Sequence, residues 1–131
     1  MSIAISTGLN EARLQATANY IDSGSGAGYF AVYGNTRPGS ITDAPGASPL
    51  VLVPLAEPCG TVASNQLTLS GGGLGMVASS GVAAWARLFN GNNEAVLDCD
   101  VSLPAGTGEL KLSTVTLYAG AEVTIASAVL G

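Results

Sequence analysis

Hydrophobic positions in this chain alternate over short runs, and the runs are separated by Gly, Pro, Asn and Ser. The clearest pair is AAWARLFNGNNEAVLDCDV, residues 83–101. Two strand-like runs flank Asn90-Gly91-Asn92-Asn93, and the central Gly-Asn predicts a hairpin with Gly91 and Asn92 as a two-residue loop. That register sets Phe89 opposite Glu94, Arg87 opposite Val96 and Trp85 opposite Asp98. Ala84, Ala86 and Leu88 then share a wholly apolar face with Ala95, Leu97 and Cys99, and such a face belongs in a core. The other face is mixed: Trp85, Arg87, Phe89, Glu94, Val96, Asp98 and Asp100, with Arg87 in diagonal reach of Glu94 and Asp98. Trp85 and Phe89 there require a second covering layer or a partner.

One stretch is helical, TGLNEARLQATANYIDS, residues 7–23. Leu14, Ala18 and Ile21 form a narrow stripe of the helical period, Thr7 or Asn10 is placed to cap the start, Glu11 to meet the dipole, and Gly24 to end the helix. Tyr29–Tyr33 reads as a short strand. GNTRPGSITDAPGASP, residues 34–49, reads as a long irregular connection. Leu50–Leu55 is a strand ended near Pro54 and Pro58. Gln66–Leu69 is another, with Thr61–Ala63 a candidate extension across a bend, and Gly71–Gly75 is a turn. Residues 103–108 form a loop. The alternation from Glu109 to Tyr118 then shifts phase between Leu112 and Val115, and Glu122–Leu130 alternates once more. Six to eight short strands with turns between them predict one all-β domain over residues 1–131. The expected fold is an antiparallel β-sandwich, jelly-roll-like or Ig-like, with one N-terminal α-helix: an arm over 1–8, the helix over about 9–23 and strands over about 29–130.

Composition changes this picture in one respect. Only 10% of the residues are charged, 47% are hydrophobic, 18 are Gly and the mean hydropathy is +0.42. Much of the apolar content is Ala and Val, which suits closely apposed neighbours, so a homo-oligomer such as a trimer or a larger assembly is expected. Ile3 and Ile5 sit in an uncharged N-terminal stretch. They are expected to pack on a neighbouring subunit by adding an extended segment to an open sheet edge, or else to form the first strand of the domain itself. The net charge of −5 rests on only four basic residues, Arg13, Arg37, Arg87 and Lys111, which form no run. Nucleic-acid binding and a basic membrane-surface helix are therefore not expected. The longest apolar run, Leu50–Ala56, is too short to span a bilayer and contains Pro54, and MSIAISTG lacks the pattern of a signal peptide. Cys59 and Cys99 are then expected as buried free thiols rather than a disulfide.

The chain has no histidine, which removes Ser–His and Cys–His nucleophile pairs and the usual zinc ligands. The glycines of residues 24–28 follow a helix and open a strand, the reverse of a dinucleotide loop, and Gly71–Gly75 lacks the Lys-Ser/Thr of a P-loop. Asp98 and Asp100 share one strand face. A solvated or salt-bridged face is the ordinary reading of such a pair, ahead of a cation site or a catalytic pair. Trp85, Phe89 and Arg87 read as core or subunit interface ahead of a sugar- or base-stacking site. No catalytic residue, metal or cofactor is expected, and the possible interface residues are Ile3, Ile5, Trp85 and Phe89.

Five segments in order carry a resemblance: ARLQA in the helix, FAVYGNTRP, LTLS, AWARLFNGNNEAVLDCDV, and GELKLSTVTLYAGAEVTIAS. From about Leu9 to Val129 the chain resembles a family of small virion-structural proteins encoded by tailed bacteriophages and prophages. It departs from that pattern at the Asn-Gly-Asn-Asn turn, at Cys99 where Gly is common, and at Ala86 where a larger residue is usual. The resemblance carries over no functional residue. It implies a virion protein assembled in the bacterial host cytoplasm, not an enzyme, with the major capsid protein or tail proteins as partners. A capsid decoration (cement) protein bridging capsid subunits is the leading expectation. A tail, collar or baseplate component is the alternative, and a receptor- or glycan-binding module is a third.

Overall fold

The computed structural model describes residues 3–131; Met1 and Ser2, the start of the expected arm, lie outside the described residues. Among these residues the chain forms one helix, α1 (Thr7–Ile21), and eleven strands: β1 (Tyr29–Tyr33), β2 (Val51–Ala63), β3 (Gln66–Gly71), β4 (Gly75–Met76), β5 (Gly81–Val82), β6 (Trp85–Phe89), β7 (Ala95–Ser102), β8 (Leu110–Leu112), β9 (Thr116–Leu117), β10 (Glu122–Val123) and β11 (Ile125–Leu130). Seven of them close into a barrel in the order β1-β2-β3-β11-β8-β7-β6. The expected antiparallel sandwich is thereby corrected. The wall is mixed, because β8 runs parallel to β7 (Val101 beside Leu110, Ser102 beside Lys111), and there are no two facing open sheets. The single N-terminal helix is as expected.

Alternation set each strand's inner face. Phe30 and Val32, Val51, Val53 and Leu55, Leu67 and Leu69, Ala86 and Leu88, Cys99 and Val101, Leu110 and Leu112, and Ala128 all point into one interior cluster. A narrow closed barrel holds little besides its own side chains, and the many small residues of this chain fit that interior. β2 runs straight through Pro54 and Pro58, which the sequence reading took as its end. Its first half pairs with β1 as far as Pro54, and on the other flank it meets β3 at Leu55 and again from Gly60, so Pro54 ends the first pairing and Pro58 falls in the register shift of the second. At Gly60 itself an added Cβ would run into the carbonyl of Thr68.

The two ends of the barrel are closed differently. α1 lies across one, from the β2–β3 turn, where Glu11 accepts a hydrogen bond from the Asn65 N–H (3.0 Å), to the β6–β7 turn, where Gly24 bridges to Gly91. Leu14, Ala18 and Ile21 are buried as the helical period predicts. The helix begins two residues earlier than expected because Ser6 is its cap, its hydroxyl accepting from the Leu9 N–H (3.1 Å), and it ends at Ile21 with Asp22 as C-cap. Glu11 is consequently outside the first turn. At the other end, the β3–β6 and β8–β11 connections pair into an irregular ribbon. β4 meets β10, β5 meets β9, and the Val77 N–H donates to Ala121 O (2.8 Å) between them. The phase shift after Leu112 marks the place where the chain leaves the barrel wall for this ribbon.

Both cysteines are buried free thiols. Burial, reinforced by the Asp22 carboxylate, pushes Cys59 up to about 11, and burial, reinforced by Glu109, pushes Cys99 up to about 12. Each folded thiol holds its proton above the pH at which the unfolded thiol loses it. Stability is therefore whole below the ordinary value of 9.0 and falls as pH rises from there toward 11 and 12. The urea midpoint should decline over that alkaline range, and a Cys59→Ala, Cys99→Ala double variant should show a shallower decline. In the fully buried interior, Leu88→Ala should cost about 2–5 kcal/mol in the same assay, whereas the half-exposed Leu103→Ala should cost well under 1 kcal/mol.

Candidate interaction surface

The hairpin of β6 and β7 takes a register two residues from the predicted one. The predicted apolar face holds for Ala86, Leu88, Leu97 and Cys99, whereas Ala84 and Ala95 are exposed and Ala95 lies beside Phe89 on the other face. Trp85 faces Asp100, Arg87 faces Asp98 and Leu88 faces Leu97, and Val96 is the extra residue of a bulge before Phe89 meets Ala95. Asn90 causes this. Its side-chain oxygen accepts from the backbone N–H groups of both Asn92 and Glu94 (3.0 Å each), and Asn93 takes the left-handed conformation (φ 62°), so the turn is wider than two residues. A slip of two leaves those four on one face, since side chains alternate with period two. Leu88 and Cys99 are buried and Leu97 is half-buried.

The outer face of this hairpin, with β1 beside it, carries two stacked aromatic pairs: Tyr33 on Trp85 (centroids 4.6 Å apart) and Tyr29 on Phe89 (5.2 Å). Residues 34–49, expected only as an irregular connection, fold back over the first pair as a strap. Trp85 Nε1 donates to Asn35 Oδ1 (3.0 Å), and Asn35 Nδ2 donates to Pro45 O (2.8 Å). Beneath the strap Arg87 makes a bidentate pair with Asp98 (2.7 and 3.0 Å), donates to Asp43 O (2.9 Å) and lies 5.6 Å from the Trp85 ring centre. Both side chains of the pair are 5% exposed. The hydrogen bonds with Asp98 push the guanidinium further up, against its burial. Arg37 reaches from the strap to Asp100 (3.2 Å) in an exposed pair and to Asp98 O (3.2 Å). Asp98 and Asp100 thus each hold an arginine, and among the described residues no group of three or more acidic or cysteine side chains converges on a common point.

The four possible interface residues are not brought together. Trp85 is 1% exposed, covered by the strap of its own chain, and Phe89 is half-buried against Tyr29. Ile3 and Ile5 precede the helix near the β2–β3 turn, 80% and 38% exposed, in a segment that pairs with no strand of the barrel. The alternative that they open the domain's own sheet is therefore set aside.

One apolar, charge-poor surface was missed in the sequence. It is the outer side of the ribbon, where Leu74, Met76, Val82 and Tyr118 are each more than half exposed while Val77, Leu117 and Val123 point inward. Gly75 lets the ribbon lie flat on β2, since a Cβ there would meet Leu52 O at 2.7 Å. Residues 71–83 and 113–124 together carry one charged side chain, Glu122. The scarcity of charge in these two separated stretches was the available signal; their proximity was not.

Comparison with protein families, curated proteins and solved structures finds no match to this chain.

Replacing Arg87 by Met strands Asp98 in a buried position and releases Asp43. It should lower stability by about 3–5 kcal/mol in denaturant unfolding, and adding Asp98→Leu should recover a large part of that loss.

Proposed function

We propose that this chain is a non-enzymatic structural protein of a bacteriophage particle, most specifically a capsid decoration protein that binds the major capsid protein and bridges neighbouring subunits as a trimer or other homo-oligomer. It acts in the virion, after assembly in the bacterial host cytoplasm. The observation that carries this reading is the apolar, charge-poor ribbon face at one end of the barrel, where Glu122 beside Met76 is the one charged side chain. Large apolar side chains there stand out from a backbone fixed on the core, which is the arrangement of an interface centre rather than of a solvated loop. Withdrawing Leu74, Met76, Val82 and Tyr118 from water would contribute on the order of 1 kcal/mol each, enough in repeated copies to hold a small protein on a lattice. The order of sequence segments shared with small phage virion proteins supports the same reading.

The test uses particles of the phage or prophage that encodes the chain. The protein should be present at hundreds of copies per particle. Met76→Asp and Val82→Asp should each weaken its rebinding to stripped particles at least tenfold, about 1.4 kcal/mol, without changing the melting temperature. Six to a few dozen copies would move the protein to the tail, collar or baseplate. Absence from purified particles would overturn the reading.

A further inference from the structure

The barrel wall has a gap in its backbone pairing along β7, and the arm has the features to fill it. On its inner flank β7 pairs with β6 from Ala95 to Asp100, but on its outer flank it meets β8 only at Val101 and Ser102. Val101 N–H donates to Ala84 O (3.2 Å), which by alternation turns Cys99 and Leu97 toward β6 and the backbone groups of Asp98 and Asp100 outward. The side chains nearby agree with that parity: Arg37 donates to Asp98 O, and Glu109 accepts from the Asp100 N–H (3.1 Å). From Ala95 to Asp98 no strand lies alongside among the described residues. An open cleft of about 350 Å³ runs there instead, between β7 and the strap, lined by Ile41, Val96 and Leu97 with Arg37 and Asp98 at its rim.

We propose that residues 3–6 of one copy add as a short strand along this free edge of β7 in a second copy, with Ile3 and Ile5 entering the cleft. The match rests on four points. An edge with no strand alongside is a template for an extended segment, which here would take over the Asp98 carbonyl from Arg37. Ile3-Ala4-Ile5-Ser6 is exposed and outside any helix or strand, and drawn out as a strand it would send both isoleucines to one side, where the cleft offers Ile41, Val96 and Leu97. Four arm residues equal the four of the edge, Ala95–Asp98. The charges at the rim already neutralise one another, Arg37 with Asp100 and Arg87 with Asp98, so an uncharged strand fits where a charged one would have to break a pair.

Geometry makes the exchange intermolecular. The arm leaves the helix at its N-terminus beside Asn65, and the β7 edge starts beside the Gly91 turn at the helix C-terminus. The fifteen residues of α1 span about 22 Å. Residues 3–6 reach at most about 14 Å when extended. Donor and acceptor are different parts of the surface, so copies exchange arms reciprocally in a dimer or head to tail in a closed ring. This inference stands apart from particle binding, and its test needs no particle.

The test mixes two single variants, Ile5→Cys and Val96→Cys, under mild oxidation; the native thiols are buried and do not compete. Covalent dimers linking residue 5 of one chain to residue 96 of the other should form at least tenfold faster than in a mixture of Ile5→Cys with Leu103→Cys, an exposed site past the far end of β7. Equal rates, or faster dimerisation of Ile5→Cys with itself, would overturn the proposal. Sedimentation supplies the second arm. The unmodified protein should self-associate as its concentration rises, and removal of residues 1–5, which spares the Ser6 cap, or the Val96→Asp change should return it to a monomer with its helix content intact. An unmodified protein that stays monomeric, or variants that associate as before, would also overturn it.

Discussion

Barrel closure depends on the two-residue parallel contact between β7 and β8. Parallel neighbours ordinarily need a long crossover, yet here only residues 103–109 intervene. The contact is feasible because it is short: the loop retreats by about two residues of strand before β8 begins. Local hydrogen bonds hold the retreat, with Gly106 N–H donating to Leu103 O, Gly108 N–H to the Ser102 hydroxyl and Lys111 Nζ to Gly108 O. A Cβ on Gly108 would sit 2.8 Å from Asp100 O, so the turn-back also needs a residue without a side chain. Once β8 is beside β7, its other flank takes β11, and β11 takes β3. The whole interior cluster follows from that closure.

This constraint is also the reason the sequence pointed to a sandwich. Alternation reports which face of a strand is buried, and it did so for Ala86, Leu88, Cys99, Leu110 and Leu112. It carries no information on strand direction, and a Gly- and Pro-containing link of seven residues reads most naturally as a turn between antiparallel partners. The hairpin register failed for a different reason. Gly91-Asn92 has the composition of a tight turn, but the Asn90 carboxamide gathers two backbone N–H groups and widens it. Ala86, Leu88, Leu97 and Cys99 kept their shared face because a two-residue slip leaves parity unchanged, while the bulge turned Ala95 out of it. The prolines of β2 were misread because a strand that changes partners midway tolerates them where its pairing shifts.

The aromatic outer face shows how an irregular segment becomes a structural layer. Nothing in GNTRPGSITDAPGASP has a strand or helix period, so its role was invisible to pattern reading, although the need for a cover over Trp85 was not. Its hold on the barrel is mainly polar, through Asn35, Arg37 and the carbonyl of Asp43. A buried ion pair such as Arg87–Asp98 recovers its desolvation cost only when its geometry is good and its remaining hydrogen bonds are made. Here the strap supplies one of those bonds and excludes water from the others. Strap and ion pair therefore support each other, and neither would be expected to keep its geometry alone.

Closure decides where this molecule can meet others. An open sandwich offers edge strands along its whole length, whereas a barrel offers its ends, its outer side chains and any gap in its pairing. The helix takes one end and leaves it comparatively polar. The ribbon takes the other and, with Glu122 its one charged side chain, leaves it largely apolar. One such gap is the outer flank of β7, where β8 is too short to extend beyond Val101. The arm begins at the helix end, far along the barrel from the ribbon face. The proposed contacts through the arm and through the ribbon would therefore draw on separate parts of the surface and would not compete. A small protein with two such independent surfaces has the physical requirement for bridging within a larger assembly, and here that requirement follows from how the barrel closes.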